Sequence, residues 1–298
     1  MNEVIKTTNL SKQFGKKHAL ADMSITISEN SITGLIGRNG SGKTTLLKIL
    51  AGNLDITSGD AFVFGEKPMD NISVLNNLVY TYHNVPYEQN MRLQTILSSY
   101  NLMFNNFDLE FAEKLMHYFE LDGKMKYKSL SQGMASIFNF LCALSCRAKL
   151  TMLDEPVLGM DVTVRKSAYE ILLRDFTEHP RTFVISSHLL SELEGLLSDI
   201  LLIEQGQAVL NEHIDDVRQS AYRIDGTKSA IDEYISDKNI ITQKTSELNC
   251  FAVIYEPYTR EVTLSAQNLG LTVSQVRPED LCVFLTQQNK EDELECLW

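Results

Sequence analysis

The chain has 298 residues, 44% of them hydrophobic and 22% charged, a composition that suits a globular protein with a core for one large or two ordinary domains. Its formal net charge of −12 weighs against nucleic acid as the main partner, because a phosphate backbone calls for a basic surface. No stretch approaches the roughly 20 continuous apolar residues that span a bilayer, and the opening MNEVIKTTNL lacks the basic-then-apolar form of a secretion signal; a cytoplasmic chain that meets membranes only through a partner is expected.

Up to about residue 211, short apolar runs alternate with helical patterns, which predicts an α/β sheet. VIKTTNL and MSITI read as strands and SITGLIG as a buried one; a glycine-rich turn then leads into a helix, TTLLKILAG, ending at Gly52. DAFVFG and NLVYTYH are further strands. From about Met91 to Arg147, apolar residues recur at helical spacing, as in Leu93, Ile96 and Leu97, and predict a helical insertion that closes with a helix over Gly133–Cys146. Strand patterns return in KLTMLD, RTFVIS and DILLIE, the last turning at Gln205-Gly206 into QAVL. Residues 212–298 then read as β-α-β-β-α-β-α, a small α+β domain: YRID, a helix near Ser229–Ser236, NIITQK, LNCFAVIYE, a helix at Thr259–Asn268, LTVSQV and the helix PEDLCVFLTQQ. The acidic end EDELECLW reads as a solvated tail.

Five cysteines are scattered along the chain. Cys142 and Cys146 could present a metal pair on one helix face, but no second ligand pair accompanies them, and burial as small apolar side chains is the simpler reading. Cys250, Cys282 and Cys296 have no zinc spacing, and reduced thiols fit the cytoplasm.

The strongest signal is Gly37-Arg38-Asn39-Gly40-Ser41-Gly42-Lys43-Thr44, which matches G-x-x-x-x-G-K-[ST] with an apolar strand before it and a helix after it. A helix N-terminus offers unpaired N–H groups and a positive dipole end, and glycines let the backbone wrap phosphates without a Cβ in the way. Lys43 would bring a full positive charge to the β- and γ-phosphates, Thr44 a hydroxyl for Mg²⁺, and Thr45 belongs to the same helix start. The bland alternative, a chance glycine-rich αβ turn, explains neither the lysine nor the context. A second half-site follows at Leu150–Glu155, an apolar strand that delivers two carboxylates at its C-terminal end, where open parallel sheets bind ligands. Asp154 suits a Mg²⁺ ligand, direct or through water, and Glu155 a general base for the attacking water; an exposed acidic turn is the plain alternative.

Around these two half-sites stand further residues in a fixed order. Leu130-Ser131-Gln132-Gly133-Met134 opens a helix, Gly159-Met160-Asp161 follows Glu155-Pro156, His188 follows the strand FVISS, and Phe14 lies in LSKQFG. Over about residues 3–211 the chain resembles the ATP-binding subunits of ABC transporters, closest in appearance to the ATPases of bacterial peptide and antibiotic exporters. The resemblance implies a P-loop NTPase sheet core with an antiparallel β subdomain and the helical insertion. It makes Phe14 the aromatic residue that stacks on adenine, Ser131, Gln132 and Gly133 the signature that meets the γ-phosphate, Asp161 part of the D-loop and His188 the switch histidine. Two departures from the family pattern stand out. The signature has Gln132 and Met134 where glycine and glutamine are usual, though Ser131 and Gly133 keep a hydroxyl and a backbone N–H at a helix start. The loop that usually carries glutamine offers His83, with Tyr82 or Asn84 if the register shifts by one. A neutral imidazole there could contact the water or the Mg²⁺ site, protonation would oppose the metal, and mere packing is the equal alternative.

The resemblance further implies ATP and Mg²⁺ as cofactors and two subunits head to tail, each ATP between the P-loop of one and the signature of the other. A homodimer would have two competent sites, and a heterodimer stays open. Separate transmembrane permease subunits would dock near residues 83–105 and hold the chain at the inner face of the cell membrane. Two other functions compete. A soluble ABC-type ATPase acting on ribosomes or nucleic acid usually has two cassettes or a long coiled-coil insertion, and a nonhydrolytic regulatory module would need a crippled site. Residues 212–298 read as a structural cap or dimer contact before a ligand sensor.

Overall fold

The computed structural model describes residues 2–82, 85–88, 90–245 and 250–287. Strand β1 (Glu3–Phe14) is the spine of an antiparallel sheet, pairing with β2 (Lys17–Met23), β3 (Thr26–Ser28) and later β5 (Ser58–Val63). The stretch MSITI, expected as one strand, is split between β2 and β3. The cause is a buried hydroxyl: Thr7 Oγ1 donates to the Met23 carbonyl at 2.9 Å and accepts from the Ile25 N–H at 3.1 Å, replacing ladder bonds at that point. Asn9 and Asp22 take left-handed φ values of 48° and 49°, a conformation that these two residue types tolerate and that suits an irregular ladder.

The second sheet has the order β10-β9-β4-β8-β7-β6, built from β4 (Ile32–Ile36), β6 (Leu78–Tyr82), β7 (Leu150–Asp154), β8 (Thr182–Ser187), β9 (Asp199–Glu204) and β10 (Gln207–His213). The pairs from β9 through β6 are parallel, and every residue of β4, β7 and β8 is buried, as expected where helices cover both faces. Gln205 and Gly206 both sit at positive φ and close a two-residue turn between β9 and β10, the form that matches strand twist. The parallel arrangement brings the carboxyl ends of β4, β7 and β8 to one edge. The glycine-rich loop, the acidic pair and His188 follow those three ends in turn.

Helix α1 (Lys43–Leu50) follows β4, and the short α2 (Ile72–Leu75) precedes β6. The helical stretch contains α3 (Leu93–Met103), α4 (Leu109–Tyr118) and α5 (Gln132–Ser145). All residues of α5 from Ser136 to Ser145 are buried, so the run FLCALSC is apolar packing. Cys142 and Cys146 are free and buried, and burial pushes both thiols up, which suits inert core side chains. After β7, α6 (Val162–Glu178) returns the chain towards β8.

The chain divides into two compact units, one through Asn211 and one from Glu212. The second unit begins with α7 (Ile214–Gln219) and continues as β11 (Tyr222–Asp225), α8 (Lys228–Tyr234), β12 (Ile240–Thr245), β13 (Cys250–Ile254), α9 (Arg260–Asn268), β14 (Thr272–Gln275) and α10 (Pro278–Gln287). Its antiparallel sheet has the order β12-β13-β11-β14, with Tyr222, Ile224, Ala252 and Ile254 packed in a core with Ile231, Ala266 and Leu271. Cys296 and the acidic tail lie outside the described residues.

One buried ionic group ties the end of α5 to α6 and the start of β8. Asp175 accepts from Arg147 Nη1 and, at 2.6 Å, from Arg181 Nη2, and its side chain is 2% exposed. Truncating the acid would leave the buried Arg181 short of a counter-charge and Arg147 with Asp108 alone, a loss of about 3 kcal/mol or more. Asp175→Ala is expected to lower the melting temperature by roughly 6–12 °C for a unit of this size, as read by calorimetry.

Candidate nucleotide-binding site

Gly42 caps α1 with φ 118° and ψ −4°, and a Cβ there would meet the Ala19 carbonyl at 2.7 Å, so only glycine fits this corner. The loop is braced from behind: the Gly206 N–H donates to the Ser41 carbonyl at 2.9 Å, and the Ser41 N–H to the Arg38 carbonyl at 3.1 Å. No side chain caps α1, and its first turn has no acidic residue. Its opening N–H groups and dipole end are thus free of an internal anion, the arrangement that favours an external one. Lys43 is buried, and its Nζ donates to the carbonyls of Gly37 at 2.6 Å and Arg38 at 3.3 Å. Burial lowers its ammonium from the usual lysine range, against the opposing pull of Glu155 and Asp154.

Across from the loop, β7 ends in Asp154, whose carboxylate is held by two hydroxyls. Ser186 Oγ donates to Oδ1 at 2.6 Å, and the Tyr80 hydroxyl donates to Oδ2 at 3.3 Å. Burial, reinforced by Asp154, pushes the Tyr80 phenol up, so it stays a donor. Glu155 then turns the chain with a left-handed φ of 49°, and its N–H donates to Ser186 Oγ at 2.9 Å. Its carboxylate lies between two partners: Oε1 is 3.8 Å from Lys43 Nζ and Oε2 is 3.1 Å from His188 Nδ1. Oε1 is buried without a hydrogen bond, so one acceptor in this cleft waits for a donor.

A cleft of about 270 Å³ is lined by Phe14, Lys17, Ala19, Asn39, Gly40, Gly42, Lys43, Thr44, Thr45, Asp154 and Glu155. Phe14, half exposed at the end of β1, is on its wall with Lys12 Nζ 5.1 Å from the ring centre. These residues fit a magnesium nucleotide: uncapped helix N–H groups and a lysine for phosphates, hydroxyl and carboxylate oxygens for a hard cation, and an aromatic face for a base. Tyr80, Lys17, Ala19 and Ser186 were not marked by the sequence pattern. Tyr80 and Ser186 come from strands that flank β7 in space, a neighbourhood that spacing along the chain does not reveal.

Ser131, Gln132, Gly133 and Asp161 are not in that cleft. Ser131 is the N-cap of α5, its Oγ accepting from the Met134 N–H at 3.2 Å, and Asp161 is the N-cap of α6, accepting from the Val164 N–H at 2.9 Å. A Cβ on Gly133 would lie 2.5 Å from the Gly159 carbonyl, and Ser136 Oγ donates to the Leu158 carbonyl at 2.7 Å. The start of α5 and the segment Leu158–Asp161 are therefore packed backbone to backbone. Of the loop before the helical stretch, His83 and Asn84 lie outside the described residues. The Tyr82 ring lies 5.3 Å from that of Tyr80, tilted by 30°, and the Tyr82 carbonyl accepts from Asn139 Nδ2 at 3.4 Å.

A family model described as ABC transporter matches residues 20–158. The ABC transporter ATP-binding protein MJ1023 of Methanocaldococcus jannaschii is 30% identical over 74% of this chain and 82% of its own length. The bacitracin transport ATP-binding protein BcrA of Bacillus licheniformis is 29% identical over 74% of this chain and 72% of its own. A solved ATP binding subunit of an ABC transporter, 21% identical, has the same fold with a TM-score of 0.63 over 72% of this chain and 92% of that one. The chain belongs to the ATP-binding proteins of ABC transporters, ATPases that use ATP with Mg²⁺.

Proposed function

We propose that the chain is the ATPase subunit of an exporter of peptides or antibiotics, working at the cytoplasmic membrane face on separate membrane-spanning subunits. The observation that carries this reading is the division of the site. The cleft gathers Lys43, Thr44, Asp154 and Glu155, while Ser131 and Gly133 are held elsewhere on the same unit. A complete site then needs the signature of a second copy. Apolar side chains are exposed beside both Asp161 and His188: Val162 is 79% exposed, Leu158 39% and Leu189 38%, a surface that a second subunit would cover. Among the described residues no helix is long and apolar enough to cross a membrane, so transport requires a partner that does. The likeness to the bacitracin transport ATP-binding protein supports an antibiotic as the cargo.

In this reading the unit through Asn211 is the ATPase domain, and the unit from Glu212 lies outside the chemistry. Thr44 and Asp154 would hold Mg²⁺, which when bound would supply positive charge to the terminal phosphates, while Lys43 takes the β- and γ-phosphates and Phe14 stacks on the base. Glu155 accepts a proton from the attacking water on Oε1, the oxygen without a hydrogen bond, and His188 steadies Oε2 from the other side. Ser131 and Gly133 of the second copy close over the γ-phosphate, so ATP binding favours the closed pair and hydrolysis releases it.

Three outcomes test this. Glu155→Gln is expected to cut turnover by about 10²–10⁴-fold, the range for loss of a general base, and to leave ATP affinity intact while light scattering finds a nucleotide-bound dimer. Wild-type steady-state turnover would remove Glu155 from the role. Lys43→Ala is expected to weaken ATP binding itself by tenfold or more, about 1.4 kcal/mol or above; unchanged affinity by calorimetry would refute its phosphate role. Purification from native membranes should bring down an integral membrane protein, and recovery with ribosomal RNA in its place would overturn the transport reading.

A further inference from the structure

Ser186 is fully buried at the carboxyl end of β8, directly across the ladder from Asp154 of β7. Its hydroxyl has one proton and gives it to Asp154 Oδ1 at 2.6 Å; its lone pair takes the Glu155 N–H at 2.9 Å. Both bonds end on adjacent residues of the acidic pair. The second meets a backbone that has left the strand conformation, since Glu155 is at a φ of 49° while its neighbour Asp154 still belongs to β7. A non-glycine residue at such a φ is strained and stays there only because its surroundings hold it. The turn matters chemically, because it is what aims Glu155 at Lys43 and His188 and no longer along β7.

We propose that Ser186 is a positioning residue for hydrolysis, one hydroxyl that sets the rotation of the metal-holding carboxylate and locks the left-handed turn of the water-activating glutamate. The inference rests on the roles given above to Asp154 and Glu155. Its logic is that of an outer hydrogen bond to a metal ligand, whose loss costs roughly 10–100-fold in metal affinity or activity. An apolar residue at this position would strand Asp154 Oδ1 and the Glu155 N–H at a site with 0% exposure. Tyr80 would still hold Oδ2, so Asp154 keeps one of its two fixed bonds and the carboxylate gains freedom to rotate. Nothing in the change touches the loop that grips phosphate.

The test compares Ser186→Ala with the wild type and with Glu155→Gln in the full-length chain, using turnover and the calorimetric affinity for Mn²⁺ in saturating ADP. For Ser186→Ala, kcat is expected to fall about 10–100-fold and Mn²⁺ affinity about tenfold, with KM for ATP within about threefold. A serine that only fills the core would lower the melting temperature and leave the Mn²⁺ affinity of the folded fraction unmoved. The proposal is overturned if Ser186→Ala keeps both kcat and Mn²⁺ affinity within about twofold of wild type while Glu155→Gln is inactive. Should Glu155→Gln turn over normally, the roles of the acidic pair fail on their own, and Ser186 is judged by Mn²⁺ affinity alone. If the alanine variant does not fold, Ser186→Cys, of similar size with a weak hydrogen-bonding sulfur, must show the same losses.

Discussion

The fold is organised around a buried ammonium facing two carboxylates. Lys43 is 6% exposed, and burial lowers its ammonium from the usual lysine range; Glu155 and Asp154 counter that pull, with Glu155 Oε1 only 3.8 Å away. A charge in such a place needs fixed partners, because a mobile neighbour would not repay its desolvation. The fixity comes from the parallel sheet. β4 launches the lysine loop and β7 the acids, with β8 hydrogen-bonded to both, so the three groups share one edge without any long side chain having to search for its partner.

Around that centre the side chains are used twice. Ser186 is at once a strand residue and the brace of both acids, and Thr7 is a core residue that also substitutes for two ladder bonds. Asp161 and Ser131 are helix caps before they are anything else. A cap accepts from its helix through one lone pair and keeps further hydrogen-bonding capacity, so capping and ligand contact are compatible in the same residue.

What could be read in the chain was whatever rests on local chemistry. The glycine-lysine loop announces itself because phosphate wrapping demands particular residue types in sequence, and the αβ alternation follows from burial on one face or two. In the second unit, the order from YRID to PEDLCVFLTQQ matches β11 through α10 for the same reason. The misses share another origin. MSITI has strand composition throughout, yet the Thr7 hydroxyl, sixteen residues upstream of Met23, divides it. Tyr80 and Ser186 are ordinary strand residues by propensity, and only the β6-β7-β8 pairing places them on Asp154. Contacts made across strands carry no periodic mark in the chain.

The departures in the signature are tolerated where the packing leaves room and not where it does not. Gly133 has the Gly159 carbonyl 2.5 Å from the place of a Cβ, so it cannot change without moving Leu158–Asp161. Gln132, one residue earlier, meets no such limit; its own Cγ approaches to 2.9 Å of a Cβ built on Gly159, which means that the glutamine lies over that glycine. The side chain that stands where the family usually has glycine therefore adds to the contact between the start of α5 and the segment Leu158–Asp161. Two backbone segments packed this closely move together. A displacement of Leu158–Asp161 would carry Gly133 and Ser131 with it, so the start of α5 is linked mechanically to the segment that follows Glu155.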